Sequence, residues 1–261
     1  MTLEKPAQRI ISLAPHITEN LFAAGIGNLL VGVVNYSDYP PKAAQIKQVG
    51  GYNNFNIELI LSLQPDLVIA WKEGNQRAQV EQLISLGMTV YINEPKTLED
   101  IGRDIAKFGV LSGHEEHADV VSRAFLAELD TLYKQYSGRE KISVFYQVWD
   151  SPLLTINEQQ VIGQIIDLCS GQNVFAELGS LTPEISVEAV LAADPQAIIA
   201  SGMGEARPGW LDSWKRWSFL SAVKNDNLFF IPPDIIQRYT PRILQGTQRL
   251  CQQIQTARDK L

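Results

Sequence analysis

Short continuous apolar runs along this chain alternate with stretches whose apolar residues recur at steps of three and four, and the switches mark out its elements. Residues 9–13 (RIISL) and 30–34 (LVGVV) are β-branched, apolar runs of the kind that form buried strands. Between them Ala14-Pro15-His16-Ile17 reads as a turn, and Thr18 can cap a helix with Leu21, Phe22 and Ala24 inward and Gly25 at its end. Residues 35–41 (NYSDYPP) and 48–54 (QVGGYNN) read as loops. Residues 76–86 follow helical spacing up to Gly87, and residues 89–92 return to strand. Thr97-Leu98-Glu99-Asp100 resembles a capping box and opens the next helical stretch. Strand and helix in alternation predict a parallel sheet covered on both faces.

The longest helical pattern covers residues 114–136. Its Ala118, Val121, Phe125, Leu129, Leu132 and Tyr136 fall at steps of three and four. No Gly or Pro interrupts it, and a helix of this length spans roughly 35 Å at ~1.5 Å per residue. The pattern predicts a rigid strut joining two lobes. Beyond it, residues 142–148 read as a strand, 161–169 as a helix and 228–231 as a strand. A last helix runs from Pro241 past Cys251. Trp210, Trp214 and Trp217, at steps of four and three, predict a helix packing its aromatics inward.

One stretch occurs twice. NIELILSLQPDLVIAWKEG begins at Asn56 and SVEAVLAADPQAIIASGMG at Ser186, an offset of 130 positions. Glu58 meets Glu188, Leu61 meets Leu191, Pro65 meets Pro195, and Val68-Ile69-Ala70 meets Ile198-Ile199-Ala200. Each copy reads as helix, proline-terminated turn and doubly buried strand. Two copies are too few for a solenoid, so they predict one unit used once in each of two lobes. Glu58 and Glu188 fall in the first helical turn, where a carboxylate is favoured by the helix dipole and needs no further role.

The 261 residues suffice for two ordinary lobes, and 45% hydrophobic with 20% charged residues describes a soluble globular protein. No apolar run is long enough to span a bilayer. A net charge of −7 without a basic cluster argues against nucleic acid. The first residues, MTLEK, lack the apolar core of a signal peptide, which leaves a cytosolic protein or one whose signal has been removed. Cys169 and Cys251 fit two buried thiols or one disulfide equally well.

Motifs for catalysis are missing. His114-Glu115-Glu116-His117 is not H-E-x-x-H and reads as a solvated helix end. Gly202-Met203-Gly204 follows a strand, but Arg207 stands where a dinucleotide turn needs its third glycine. There is no G-K-[ST], no G-x-S-x-G and no cysteine near a histidine. What remains is a set of aromatics just past strand ends: Tyr36, Trp71 and Trp149, with Tyr52 on the loop before the first repeat. Ligands of open α/β sheets bind outside the carboxyl ends of strands, and these side chains suit a bulky, partly polar one.

Through Tyr36-Ser37-Asp38-Tyr39-Pro40-Pro41, Asn56-Ile57-Glu58, Pro65 to Trp71 (PDLVIAW) and Pro241-Arg242, the chain resembles the periplasmic binding proteins of ABC importers that have a helical backbone, above all their cobalamin-binding members. The resemblance covers nearly the whole chain. It implies an α/β fold of two Rossmann-like lobes with parallel sheets: residues 1–111, a connecting helix 112–137, and residues 138–261. It implies cobalamin or a related corrinoid held between the lobes as cargo, neither catalysis nor a catalytic cofactor, and no metal site of the protein's own. It implies a monomer in the periplasm, its signal removed, that delivers to a membrane permease dimer.

Residue by residue, Tyr36 and Trp71 match ligand contacts of that family, and Tyr52 stands where relatives have a tryptophan. Pro15-His16 matches the first binding loop, with His16 particular to this chain. Asp234 and Arg238 match the last binding loop, where Ile235 and Ile236 replace aromatics. Thr182 replaces another tryptophan, and Val148-Trp149 falls at a phenylalanine site. The resemblance also pairs Cys169 with Cys251 and makes Glu58 and Glu188 permease-docking carboxylates. A ferric siderophore or haem binder of the same fold is the near alternative. A two-lobed Rossmann-like enzyme is disfavoured, because it would need a phosphate-binding glycine turn.

Overall fold

A computed structural model describes residues 3–202, 204 and 206–261; Met1 and Thr2 of the leading segment and Met203 of the second repeat lie outside them. The chain divides into two units. One holds the chain up to Ala127 together with Tyr239–Pro241, the other Glu128–Arg238 with Arg242–Leu261.

The first unit runs β1 (Ile10–Ser12), α1 (Pro15–Ala23), β2 (Leu30–Val33), a small hairpin of β3 (Gly50–Gly51) and β4 (Asn54–Phe55), then α2 (Ile57–Ser62), β5 (Leu67–Trp71), α3 (Arg77–Ser85), β6 (Val90–Asn93) and α4 (Leu98–Ser112). Helix α5 (Glu115–Tyr136) follows, 22 residues long, and the division between the units falls within it. The sheet order is β2-β1-β5-β6, with parallel pairing. Its two inner strands are β1, buried throughout, and β5, buried from Leu67 to Ala70. Ile11, Leu13, Val68 and Ala70 pack with Ile60, Val80 and Leu83 into one core.

The second unit repeats this plan. It runs β7 (Ile142–Gln147), a hairpin of β8 (Trp149–Asp150) and β9 (Leu153–Leu154), α6 (Val161–Leu168), β10 (Gly171–Asn173), α7 (Val187–Ala193), β11 (Ala197–Ala200), α8 (Ser221–Lys224), β12 (Leu228–Phe230) and α9 (Ile243–Arg258). The order β10-β7-β11-β12, again parallel, is that of the first sheet position for position. Phe145, Val190, Ile198, Ala200, Leu211 and Trp214 form its core.

The sequence repeat is a structural repeat down to single hydrogen bonds. Asn56 caps α2 by accepting from Leu59 N, and Ser186 caps α7 by accepting from Ala189 N. After each helix one residue takes left-handed φ, Gln64 at 47° and Asp194 at 40°, directly before the proline. The residue after each proline then braces the neighbouring strand: Asp66 accepts from Arg9 N at 2.9 Å, and Gln196 from Ser143 N at 2.7 Å.

Three local expectations change. Helix α1 begins at Pro15, whose missing N–H costs nothing in a first turn, so Thr18 is an interior residue and not the cap. Its hydroxyl instead lies 2.8 Å from Ser12 Oγ and 3.1 Å from Ser37 Oγ, tying α1 to the end of β1 and to the loop after β2. Helix α9 begins at Ile243, two residues past Pro241. Residues Gly209–Arg216 form a 3-10 helix in which Trp214 is buried and Trp210 only partly so, and Trp217, just past its end, is also partly buried. The opening of α4 behaves as expected in one half of its box: Asp100 accepts from Thr97 N at 2.9 Å. No helix among the described residues is long and apolar enough to cross a membrane.

Cys169, just past α6, and Cys251, within α9, form a disulfide with Cα atoms 4.8 Å apart, inside the ordinary range. They are 82 positions apart in sequence. Cross-linking a loop of that size restricts the unfolded chain by up to ~4–5 kcal/mol. Replacing both cysteines by alanine should lower the urea midpoint of the second unit accordingly. An unchanged midpoint would show that the packing of α6 on α9 suffices alone.

Candidate functional site

In each sheet the connections leave the first strand toward one edge and the third toward the other, so the direction of winding reverses between β1 and β5 and between β7 and β11. The carboxyl ends of those strands are where an open α/β sheet takes its ligand.

In the first unit this place is filled with rings. Trp71 ends β5, and the His16 imidazole meets it at 5.1 Å between centroids, the two rings nearly perpendicular. Tyr52, on the turn of the β3–β4 hairpin, lies 5.9 Å from Trp71. His16 is buried, Trp71 partly buried and Tyr52 exposed, so the rings form a graded stack from core to surface. Pro15 opens α1 beside them. The Trp71 ring lies against Gly74, where any Cβ would overlap it. Tyr36 is 73% exposed and holds a left-handed φ of 63°. A bulky residue rarely adopts that conformation, and where it does the strain tends to mark a functional surface.

Two residues of this arrangement carry no signal in the pattern. Asn75 is 7% exposed and joins three segments of the chain: its Oδ1 accepts from Trp71 N at 2.6 Å, and its Nδ2 donates to Leu13 O at 2.8 Å and Tyr52 O at 2.6 Å. Tyr239, distant in sequence, sits 6.4 Å from the His16 ring, and its carbonyl accepts from Asn20 Nδ2 at 2.9 Å. Burial, and then the charges of Glu73 and Asp100, push the Tyr239 phenol up to about 12, so it stays a neutral hydrogen-bonding group. The Asn-Gln-Arg run at residue 75 gives no hint of such a bridge, although a buried asparagine just past a strand end is a known way to tie loops.

In the second unit the strand ends are more polar. Gln147, the last residue of β7, is buried and accepts from Trp214 Nε1 at 2.7 Å. Val148 and Trp149 follow, both partly buried, with Trp149 Nε1 donating to Ser151 O at 3.0 Å. Asp234 and Arg238, partly buried, pair with each other at 3.3 Å. Gln237 ties their loop to the end of β11 by donating to Ser201 Oγ at 2.6 Å. Of the two isoleucines in that loop, Ile236 is fully buried and Ile235 partly so. Thr182 lies exposed on the segment that leads to α7.

Glu58 and Glu188 are exposed in the first turns of α2 and α7, at equivalent places in the two units. His114 and His117 do not converge: His114 Nδ1 lies 2.8 Å from Ser112 O, and the His117 ring lies over Gly25. No cluster of three metal-ligating side chains occurs among the described residues.

Residues 10–235 match the periplasmic binding proteins as a family. The chain belongs to the periplasmic binding protein family. Within this family it is 38% identical over 253 residues to the vitamin B12-binding protein of Vibrio cholerae, covering 97% of this chain and 91% of the relative. The crystal structure of the periplasmic vitamin B12 binding protein BtuF of Vibrio cholerae superposes with a TM-score of 0.89 at 37% identity, covering 97% of this chain and 98% of that one. The periplasmic heme-binding protein RhuT from Roseiflexus sp. RS-1 shares the fold at a TM-score of 0.80 and 21% identity, over 96% and 99% of the two chains. The α/β architecture with two parallel sheets is thus that of this periplasmic binding protein family.

Asn75 offers a direct check on how the ring stack is held. Asn75→Asp keeps size and the acceptor for Trp71 N–H but sets a carboxylate against the Leu13 and Tyr52 carbonyls. It should destabilise the first unit by about 2–4 kcal/mol, read as a lowered urea midpoint, because buried acceptors are left facing a charge. A midpoint equal to the parent's would show that water replaces these bonds.

Proposed function

We propose that this chain captures cobalamin in the periplasm and delivers it, chemically unchanged, to the permease of an ABC importer. The observation that supports this reading most is the graded ring stack of His16, Trp71 and Tyr52 at the carboxyl edge of the first sheet. It stands in a chain that aligns over almost its whole length with proteins named for binding vitamin B12.

A corrin offers a broad apolar ring fringed with amides. Tyr52 and Trp71, together with the exposed Tyr36, are proposed to present aromatic faces to the ring. His16 backs Trp71 from within. Asp234 accepts from amide N–H groups and Arg238 donates to amide carbonyls; in the free protein each satisfies the other, so neither charge stands unpaired. Val148, Trp149 and Thr182 are the second unit's own candidate contacts. The anchors are already in place before binding, which reduces the ordering entropy that association must overcome.

Calorimetric titration should find cyanocobalamin bound far more tightly than haem or a ferric siderophore. A nanomolar site corresponds to about −12 kcal/mol, and Trp71→Ala should cost about 2 kcal/mol or more, roughly thirtyfold in Kd. Preference for haem or the siderophore would reassign the ligand, and an unchanged Trp71→Ala affinity would move the site.

Glu58 and Glu188 are proposed to dock the permease. A dimeric permease presents the same surface twice, so one carboxylate at the same place in each structural repeat suits it. Glu58→Ala and Glu188→Ala should each weaken permease binding, and together weaken it more, with cobalamin affinity of the free protein unchanged. Raising salt should mimic them, since exposed charges are screened over ~8 Å at physiological ionic strength. Normal vesicle transport by the double variant at limiting protein would return both residues to helix-start charges.

A further inference from the structure

The geometry points to Trp210 as the second unit's ligand-contacting indole, taking the part that Trp71 plays in the first. The inference rests on the cobalamin reading above. Position 201 is the repeat mate of Trp71, but there the second unit has a fully buried serine, occupied by its bond to Gln237. The strand-end ring is therefore missing from the strand. The loop beyond β11 restores one. Gly202, two residues past the end of β11, holds φ at 69°, and the benzo edge of Trp210 lies against it, 3.6 Å from where a Cβ would stand. In the first unit Trp71 lies on Gly74, just beyond β5. Both units thus set an indole against a glycine past their third strand, one from the strand itself and one from a loop.

The three tryptophans of this segment differ in what they face. Trp214 is 3% exposed, with its N–H bonded to Gln147. Trp217 packs against Trp214 on one side, and the Arg216 guanidinium lies 4.4 Å from its ring centroid. Trp210 packs against the core and stays partly exposed, with its benzo ring at Gly202 just past the carboxyl end of β11. A partly exposed indole backed by core is the form of an aromatic anchor: large area, already ordered, with a free face.

The test uses the whole chain labelled with 5-fluorotryptophan, each fluorine resonance assigned by its loss in a single tryptophan-to-phenylalanine variant. On saturation with cyanocobalamin the Trp71 and Trp210 resonances should shift and that of Trp217 should stay. Trp210→Ala should raise the calorimetric Kd at least about tenfold, and Trp217→Phe should leave it within about twofold. If Trp210→Ala does not fold, Trp210→Leu, which keeps an apolar contact to the core, carries the affinity measurement. A Trp210 resonance unmoved while that of Trp71 shifts, with parent-like affinity in the Trp210 variant, overturns the assignment and leaves the cobalamin reading standing. No binding by the unsubstituted protein overturns both.

Discussion

Both sheets hang on the turn that carries the chain from helix into third strand. In each, a non-glycine residue is forced into left-handed conformation between a helix end and a proline, at a cost on the order of 1–2 kcal/mol. Each turn has its own brace. Arg9 reaches from before the first strand to donate to the carbonyls of Leu63 and Gln64 at 2.6 and 3.1 Å. The Asp194 carboxylate accepts from Ser221 N and Oγ at 2.7 and 2.8 Å. The two solutions share no residue type, yet both fix where the third strand starts and so where it ends. The strand end is what positions Trp71 in one unit and the Gln237-bound serine in the other.

The two units are equal in topology and unequal in chemistry. The first concentrates rings and holds them with a buried amide that touches three segments at once. Sheet pairing alone could not set that geometry, because Leu13 and Tyr52 lie on separate loops while Trp71 ends a strand. The second places a buried glutamine and serine at its strand ends and brings its aromatic and ionic groups in on loops.

Much of this was legible in the sequence, for reasons tied to period and symmetry. The doubly buried strands LVIA and AIIA announce themselves by composition, and the repeat of helix, proline and strand gave the shared plan of both sheets. The resemblance paired Cys169 with Cys251, as observed, where spacing alone had left the matter open. What stayed hidden depends on tertiary contact. Thr18 looks like a helix cap because hydroxyl caps precede apolar runs, but Pro15 had already begun the helix and the hydroxyl turned to Ser12 and Ser37. Asn75 and Tyr239 have ordinary neighbours in sequence, and only the fold brings their partners within reach. The tryptophan triplet fits an inward-facing helix in spacing, but 3-10 geometry turns only Trp214 fully inside.

Three residues near the end of the chain, Tyr239–Pro241, belong to the first unit although the residues on either side belong to the second. The modules of this protein are therefore not consecutive segments of its gene. A fragment ending at Ala127 would lack the carbonyl to which Asn20 donates and the ring beside His16, and would expose that side of α1 to water. Exchanging one unit for that of a relative thus requires three crossovers, at 127/128, 238/239 and 241/242, since a single junction in α5 leaves a foreign tripeptide in the host's first unit.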